Sequence, residues 1–283
     1  MSKNYKIIID SSGDLPQKLK NNIHFDSVPY SIILDGIIYI DDETFVQADF
    51  LQHIANSPNL PKSACPSPDS YLKACECDAQ NIYIITISGV LSGSYNSAIL
   101  AKKLYNEEHE NNPKNIYVFD SKSTSLGETL IGLKIQEYEE KGYSFKEIIN
   151  KVEEYISSMH TFFILDNLDT LIKTGRIKKY KADIISTLNI KPIMAANEEG
   201  AIYNLSQGRG TNGAISKLIR KIIDVTTNPE EKIIAISHCN CPKKAEFAKK
   251  QVENLANFKD IITINMSGLT SMYSNQGGII VVA

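Results

Sequence analysis

A chain of 283 residues, 42 % hydrophobic and 22 % charged, is long enough to bury a sizeable core and to divide it between two lobes. Its formal net charge of -3, with acids and bases interspersed, supplies no basic field for nucleic acid and no polybasic segment for anionic lipid headgroups. Five cysteines, an odd number, suit a reducing compartment. No stretch approaches the roughly 20 apolar residues of a transmembrane segment, and the N-terminus lacks the apolar centre of a signal peptide, so a cytoplasmic location is expected.

In chain order, Lys6 to Asp10 reads as a short strand. Ile32 to Tyr39 reads as a hairpin, because Asp35-Gly36 between two β-rich runs signals a tight turn. Ser67-Pro68 opens a helix as N-cap and first residue. The apolar runs Ile82 to Ile87 and Ile116 to Phe119 are strands, each followed by a helix, and Ser144-Phe145-Lys146-Glu147 is a capping box starting a helix that runs to about His160. Thr161 to Leu165 begins a strand and a change of pattern. Beyond it come a helix near Leu168 to Lys173, a helix before Asn189, and a hairpin pairing Lys191 to Ala195 with Ala201 to Leu205. A helix from about Asn212 to Asp224, a strand Ile233 to Ser237, a helix Lys243 to Leu255 and two terminal strands complete the chain. Alternating strands and helices predict a parallel sheet covered on both faces, and the later pattern predicts a mixed sheet. The expected fold is therefore α/β in two lobes, with residues 1–160 an N-terminal parallel α/β domain and residues 161–283 a C-terminal mixed α/β domain.

Ligands of open parallel sheets bind beyond the carboxyl ends of the strands. Four segments sit there: Asp10 to Asp14, Lys62 to Ser67, Ser88 to Ser97 and Asp120 to Ser123. All are rich in hydroxyls, and none pairs His, Glu or Cys as a catalytic couple. Hydroxyls and free N–H groups at a helix start bind anions. Ser92-Gly93-Ser94 is the clearest case, with Gly93 letting the backbone approach a ligand. The local pattern weighs an anion there evenly against plain capping of the helix by Ser94. A second reading, a hydrolase or phosphotransferase using Asp10 or Ser92, lacks a G-x-S-x-G elbow, an assignable base and the companion acid two residues after Asp10, where Ser12 stands. The pairs Cys75-Glu76-Cys77 and Cys239-Asn240-Cys241, near His238, do not have the C-x₂₋₄-C spacing of structural zinc, so no metal and no cofactor are expected.

Five segments in order resemble the DegV family of fatty-acid-binding proteins: Ile9 to Leu15, Leu91 to Ala98, Asp120 to Gly127, Leu171 to Ile177, and Lys191-Pro192. The resemblance implies an acyl chain in a tunnel closed by the second lobe, with the carboxylate held by loops of the first. Carried over, its grip is Ser63, Ser92 and Gly93, with Ser94 left as the cap. It also implies a carrier, not an enzyme, that presents a long-chain fatty acid to a separate ATP-dependent fatty acid kinase making acyl phosphate for phospholipid synthesis. Transient membrane contact accompanies such a role. Two segments depart from the family pattern. Ser63-Ala64-Cys65-Pro66-Ser67 replaces T-S-Q-P-S, and Tyr273-Ser274-Asn275-Gln276-Gly277 replaces a histidine-containing H-x-G-P-G stretch, leaving Tyr273 as a hydrogen-bond donor. Arg176 and Arg209 are candidates for the partner or the head group, since a guanidinium fork suits carboxylate and phosphate.

Overall fold

The computed structural model of the chain describes residues 4–177 and 189–283. β1 (Tyr5–Asp10) leads through a single 3-10 turn to the short helix α1 (Gln17–Lys20) and then to β2 (Phe25–Val28). β3 (Ser31–Leu34) and β4 (Ile37–Ile40) form the expected hairpin, with Asp35 and Gly36 at φ of 52° and 80°, the left-handed pair that a two-residue turn requires. There follow α2 (Gln47–Asn56), β5 (Lys62–Ala64), α3 (Pro68–Cys75), β6 (Asn81–Thr86) and α4 (Ser94–Glu108). Next are β7 (Asn115–Asp120), α5 (Leu126–Lys141) and α6 (Phe145–Ser157). Ser67 caps α3, and Ser144 and Glu147 close the reciprocal capping box of α6.

The later part of the chain contains β8 (Thr161–Ile164), α7 (Asp169–Lys173), β9 (Ile190–Ala196), β10 (Ile202–Arg209) and α8 (Gly210–Val225). It ends with β11 (Ile233–His238), α9 (Pro242–Leu255), β12 (Asp260–Asn265), α10 (Gly268–Ser274) and β13 (Ile279–Val282). The helix expected before Asn189 lies outside the described residues. Helix α10 was not foreseen; it separates the two terminal strands and carries Tyr273.

Among the described residues the strands make three sheets. The first, β2-β1-β6-β7, is wholly parallel. Its central strands are covered on both faces, and Ile7 to Ile9 and Ile82 to Ile85 have no accessible surface. The period of two sends Ile7 and Ile9 against α5 and α6, and Ile8 against α3 and α4. The second sheet, β10-β9-β8-β13-β11-β12, is antiparallel except for β11 with β12. One face packs on α8 and α9. The other turns Phe163, Leu165, Met194, Ile280 and Val282 toward Leu126 and Leu130 of α5, so α5 is shared between the parallel sheet and the mixed one. The third sheet, β4-β3-β5, is antiparallel and rests on α2 and α10 through Ile32, Phe50 and Met272. Among the described residues no helix is long and apolar enough to cross a membrane.

Candidate functional site

The loop from the end of β6 to the start of α4 is held by charge beneath it. Asp10, at the carboxyl end of β1, is wholly buried and accepts the backbone N–H of Ser12 (3.2 Å) and of Ile87 (3.1 Å). The Ser94 hydroxyl donates at 2.6 Å to Asp10 Oδ2, the oxygen that also accepts from Ile87, and Ser94 in turn pairs with the Tyr71 hydroxyl at 2.6 Å. Ser94 is therefore not the cap of α4. Gly93 holds the N-cap position, and the Ser94 side chain turns inward because a buried carboxylate needs donors more than a helix start does. The Ser92 hydroxyl takes the capping part instead, accepting the backbone N–H of Ser94 at 3.2 Å. It also pairs with the Tyr30 hydroxyl at 2.6 Å.

Three other elements converge on Ser92. β5 presents Ser63, whose hydroxyl lies 3.2 Å from that of Tyr273 on α10. The residue after the α7 turn, Arg176, donates through Nε to the Leu91 carbonyl (3.3 Å) and through Nη1 to the Thr174 carbonyl (2.9 Å). Its guanidinium stands 5.7 Å from the centre of the Tyr273 ring. Ser63, Ser92, Tyr273, Arg176 and Tyr30 all line one cavity. The rest of its wall is mainly aliphatic and aromatic, including Ile87, Phe163, Leu165, Leu171, Ile202 and Ile280. Thr161 and Phe163 of β8 and Leu165 just after it are alternate residues and line it together. About 760 Å³ of space lies between these walls, the open mouth and its solvent included. Hydroxyls and one guanidinium on a wall whose exposed surface is mostly apolar suit a ligand with a polar head and a hydrocarbon body.

Two of the named residues lie elsewhere. Gly93 is exposed and does not line the cavity; its φ of -74° is open to any residue, and an added Cβ would make only ordinary contact with Cys65 Sγ at 3.5 Å. Arg209 is exposed at the end of β10, opposite Ile190, and is not among the cavity walls.

The acids of the first loop are structural in their surroundings. Asp14 accepts from Ser125 Oγ, from the Ser267 backbone and from Thr270 Oγ1, tying β1 to the start of α10. Asp41, pushed up to about 6 by burial, accepts the N–H groups of Gly268 and Leu269 and so caps α10 across 227 and 228 residues of sequence. Sequence reasoning found no companion acid for Asp10, yet Glu128 of α5 is beside it. Ser12 Oγ sits 2.6 Å from Asp10 Oδ1 and 2.5 Å from Glu128 Oε1. Both acids are inaccessible to solvent, and burial raises both; the neighbouring Asp10 charge adds to the upward shift of Glu128. Such a pair offers no open face to a phosphate ester. Ser92 hydrogen-bonds no imidazole or carboxylate among the described residues. Cys75 and Cys239 are buried thiols, and the one grouping of possible metal ligands among the described residues, Glu76, Glu108 and His109, includes neither a cysteine nor His238.

Fold and cavity together define an α/β protein of three sheets with an amphipathic cavity. A family model described as "Uncharacterised protein, DegV family" matches residues 4–283, and the chain belongs to that family. A DegV domain-containing protein of Streptococcus gordonii is 35 % identical over 98 % of this chain and 97 % of its own length. Among solved structures, a DegV family protein of Ruminococcus gnavus refined with vaccenic acid superposes with a TM-score of 0.94 at 41 % identity, covering 99 % of each chain. The Streptococcus pneumoniae fatty acid kinase B3 protein loaded with linoleic acid superposes with a TM-score of 0.89 at 31 % identity, over 99 % of this chain and 98 % of that one.

Proposed function

We propose that this chain is a cytoplasmic fatty acid carrier that presents its ligand to a separate fatty acid kinase. The acyl chain occupies the apolar cavity, and Ser63, Ser92 and Tyr273 take the carboxylate, with Arg176 beside them facing ligand head or partner. The first lobe, residues 1–160, supplies the head-group loops, and the second, residues 161–283, closes the tunnel. The observation that carries the reading is the convergence of Ser63, Ser92 and Tyr273 on one cavity whose exposed surface is mostly apolar. Two relatives of the same fold, each above 30 % identity, were solved with long-chain acids, and one of them is a fatty acid kinase B protein.

Magnitudes divide the labour. About fourteen buried methylenes at roughly 0.8 kcal/mol each supply about 11 kcal/mol gross, against an association cost of about 4 to 15 kcal/mol. Each charge-assisted hydrogen bond contributes roughly 1.5 to 3 kcal/mol, most of which offsets desolvation of the carboxylate. The cavity gives affinity and the hydroxyls give orientation. Extraction of the purified protein followed by mass spectrometry is expected to release a long-chain acid; recovery of none under any growth condition would sink the reading. A Ser92→Ala variant is expected to retain lipid but to lose most acyl phosphate formation with the kinase. Wild-type turnover by that variant would remove Ser92 from the grip.

A further inference from the structure

We propose that Tyr30 is a positioning residue for the head-group site, fixing the direction in which Ser92 offers its proton; the inference rests on the fatty acid reading above. A serine hydroxyl has one proton to give and two lone pairs to accept with. One lone pair of Ser92 is taken by the backbone N–H of Ser94, a donor that cannot reverse. The only other partner of the Ser92 hydroxyl among the described residues is Tyr30 Oη at 2.6 Å. When Tyr30 donates, both lone pairs are filled and the Ser92 proton must leave toward the cavity, where the carboxylate lies. If Tyr30 accepted instead, Ser92 would spend its proton on the protein and meet the ligand with nothing to give.

The surroundings select the first arrangement. The other hydroxyl beside Tyr30 belongs to Ser94, whose proton goes to Asp10, and among the described residues Ser92 is the one hydrogen-bond partner of the Tyr30 hydroxyl, so Ser92 is the acceptor for the Tyr30 proton. Burial, with the negative Asp10 nearby, holds the Tyr30 hydroxyl well above its usual range, so it keeps that proton. The ring cannot swing away. It is buried against Ile87 and Leu269, and its backbone N–H is anchored on Ser11 Oγ at 3.0 Å. Tyr30 thus acts on the ligand through Ser92.

The test compares delipidated wild type, Tyr30→Phe, Ser92→Ala and the double variant, titrated with oleic acid and, separately, with its methyl ester. Phenylalanine keeps the ring and its packing. Tyr30→Phe is expected to weaken oleate binding about tenfold and ester binding less than about twofold, and to add less than about twofold in the Ser92→Ala background, because the two hydroxyls act as one unit. Equal losses for acid and ester, or an undiminished tenfold loss on top of Ser92→Ala, would overturn the inference while leaving the carrier reading intact. Failure of the wild type to bind either ligand would overturn the carrier reading, and this inference with it.

Discussion

Replacing Glu128 by glutamine isolates a single proton in the core. Ser12 has one hydroxyl proton, yet its oxygen lies within hydrogen-bond distance of both Asp10 and Glu128. Asp10 accepts three further hydrogen bonds, from the N–H groups of Ser12 and Ile87 and from Ser94, and these hold the charge on it. Glu128 Oε2 has no partner, so Glu128 is the acid and keeps its proton in the fold. A carboxyl raised in the folded state stabilises fully below its unfolded value, about 4.3, and that contribution is lost as pH climbs toward the folded value, at about 1.4 kcal/mol per pH unit. Glutamine is neutral in both states and loses nothing. The stability of Glu128→Gln relative to wild type should therefore rise as the pH climbs from 5 to 7. Groups remote from Glu128, such as His160 and His238, whose values burial lowers, cancel in the difference. Urea unfolding at pH 5, 6 and 7 measures it. A difference that stays flat across that range would mean that Glu128 is ionised in the native protein, and the proton assignment would fail.

Two other substitutions probe the cavity walls. Gly200 stands at φ +82°, and an added Cβ would meet Lys122 Cα at 2.8 Å and crowd the Ser88 hydroxyl that donates to the Gly200 carbonyl; Gly200→Ala should lower stability by about 1 to 3 kcal/mol in a thermal melt, and a wild-type Tm would contradict this close approach. Ala196→Phe fills the cavity from the end of β9. It should reduce binding of an eighteen-carbon acid by at least about tenfold at a folding cost of about 1 to 3 kcal/mol; unchanged binding in a displacement titration would place the acyl chain elsewhere.

Features specified by neighbouring residues were legible in the sequence. The Asp35-Gly36 turn, the Ser67-Pro68 start and the Ser144/Glu147 box each carry their own local hydrogen bonds or dihedral demand, and each is found. Features specified from afar were not. Helix α10 has no side-chain cap bond from its own N-cap, Ser267, because Asp41 supplies the acceptor from the other half of the chain. Ser94 looks like a cap until Asp10, 84 residues earlier, turns its hydroxyl inward. Ser63 and Tyr273 entered through the family resemblance, since their 210-residue separation leaves no periodic trace. Tyr30, in the link between β2 and the hairpin, was missed for the same reason.

The order of the mixed sheet has a consequence for how the chain is made. Its central strand, β13, is the last in sequence and pairs with β8 on one side and β11 on the other. All four strands of the parallel sheet exist once Asp120 has been synthesised, so that sheet can form early. β8 and β11 must wait for residues 279–282, and until then each offers an unpaired apolar edge. Some 120 residues separate Thr161 from Val282. At roughly 5 to 20 residues per second, that leaves on the order of 6 to 24 s during which the second half is open to aggregation or chaperone capture on the ribosome.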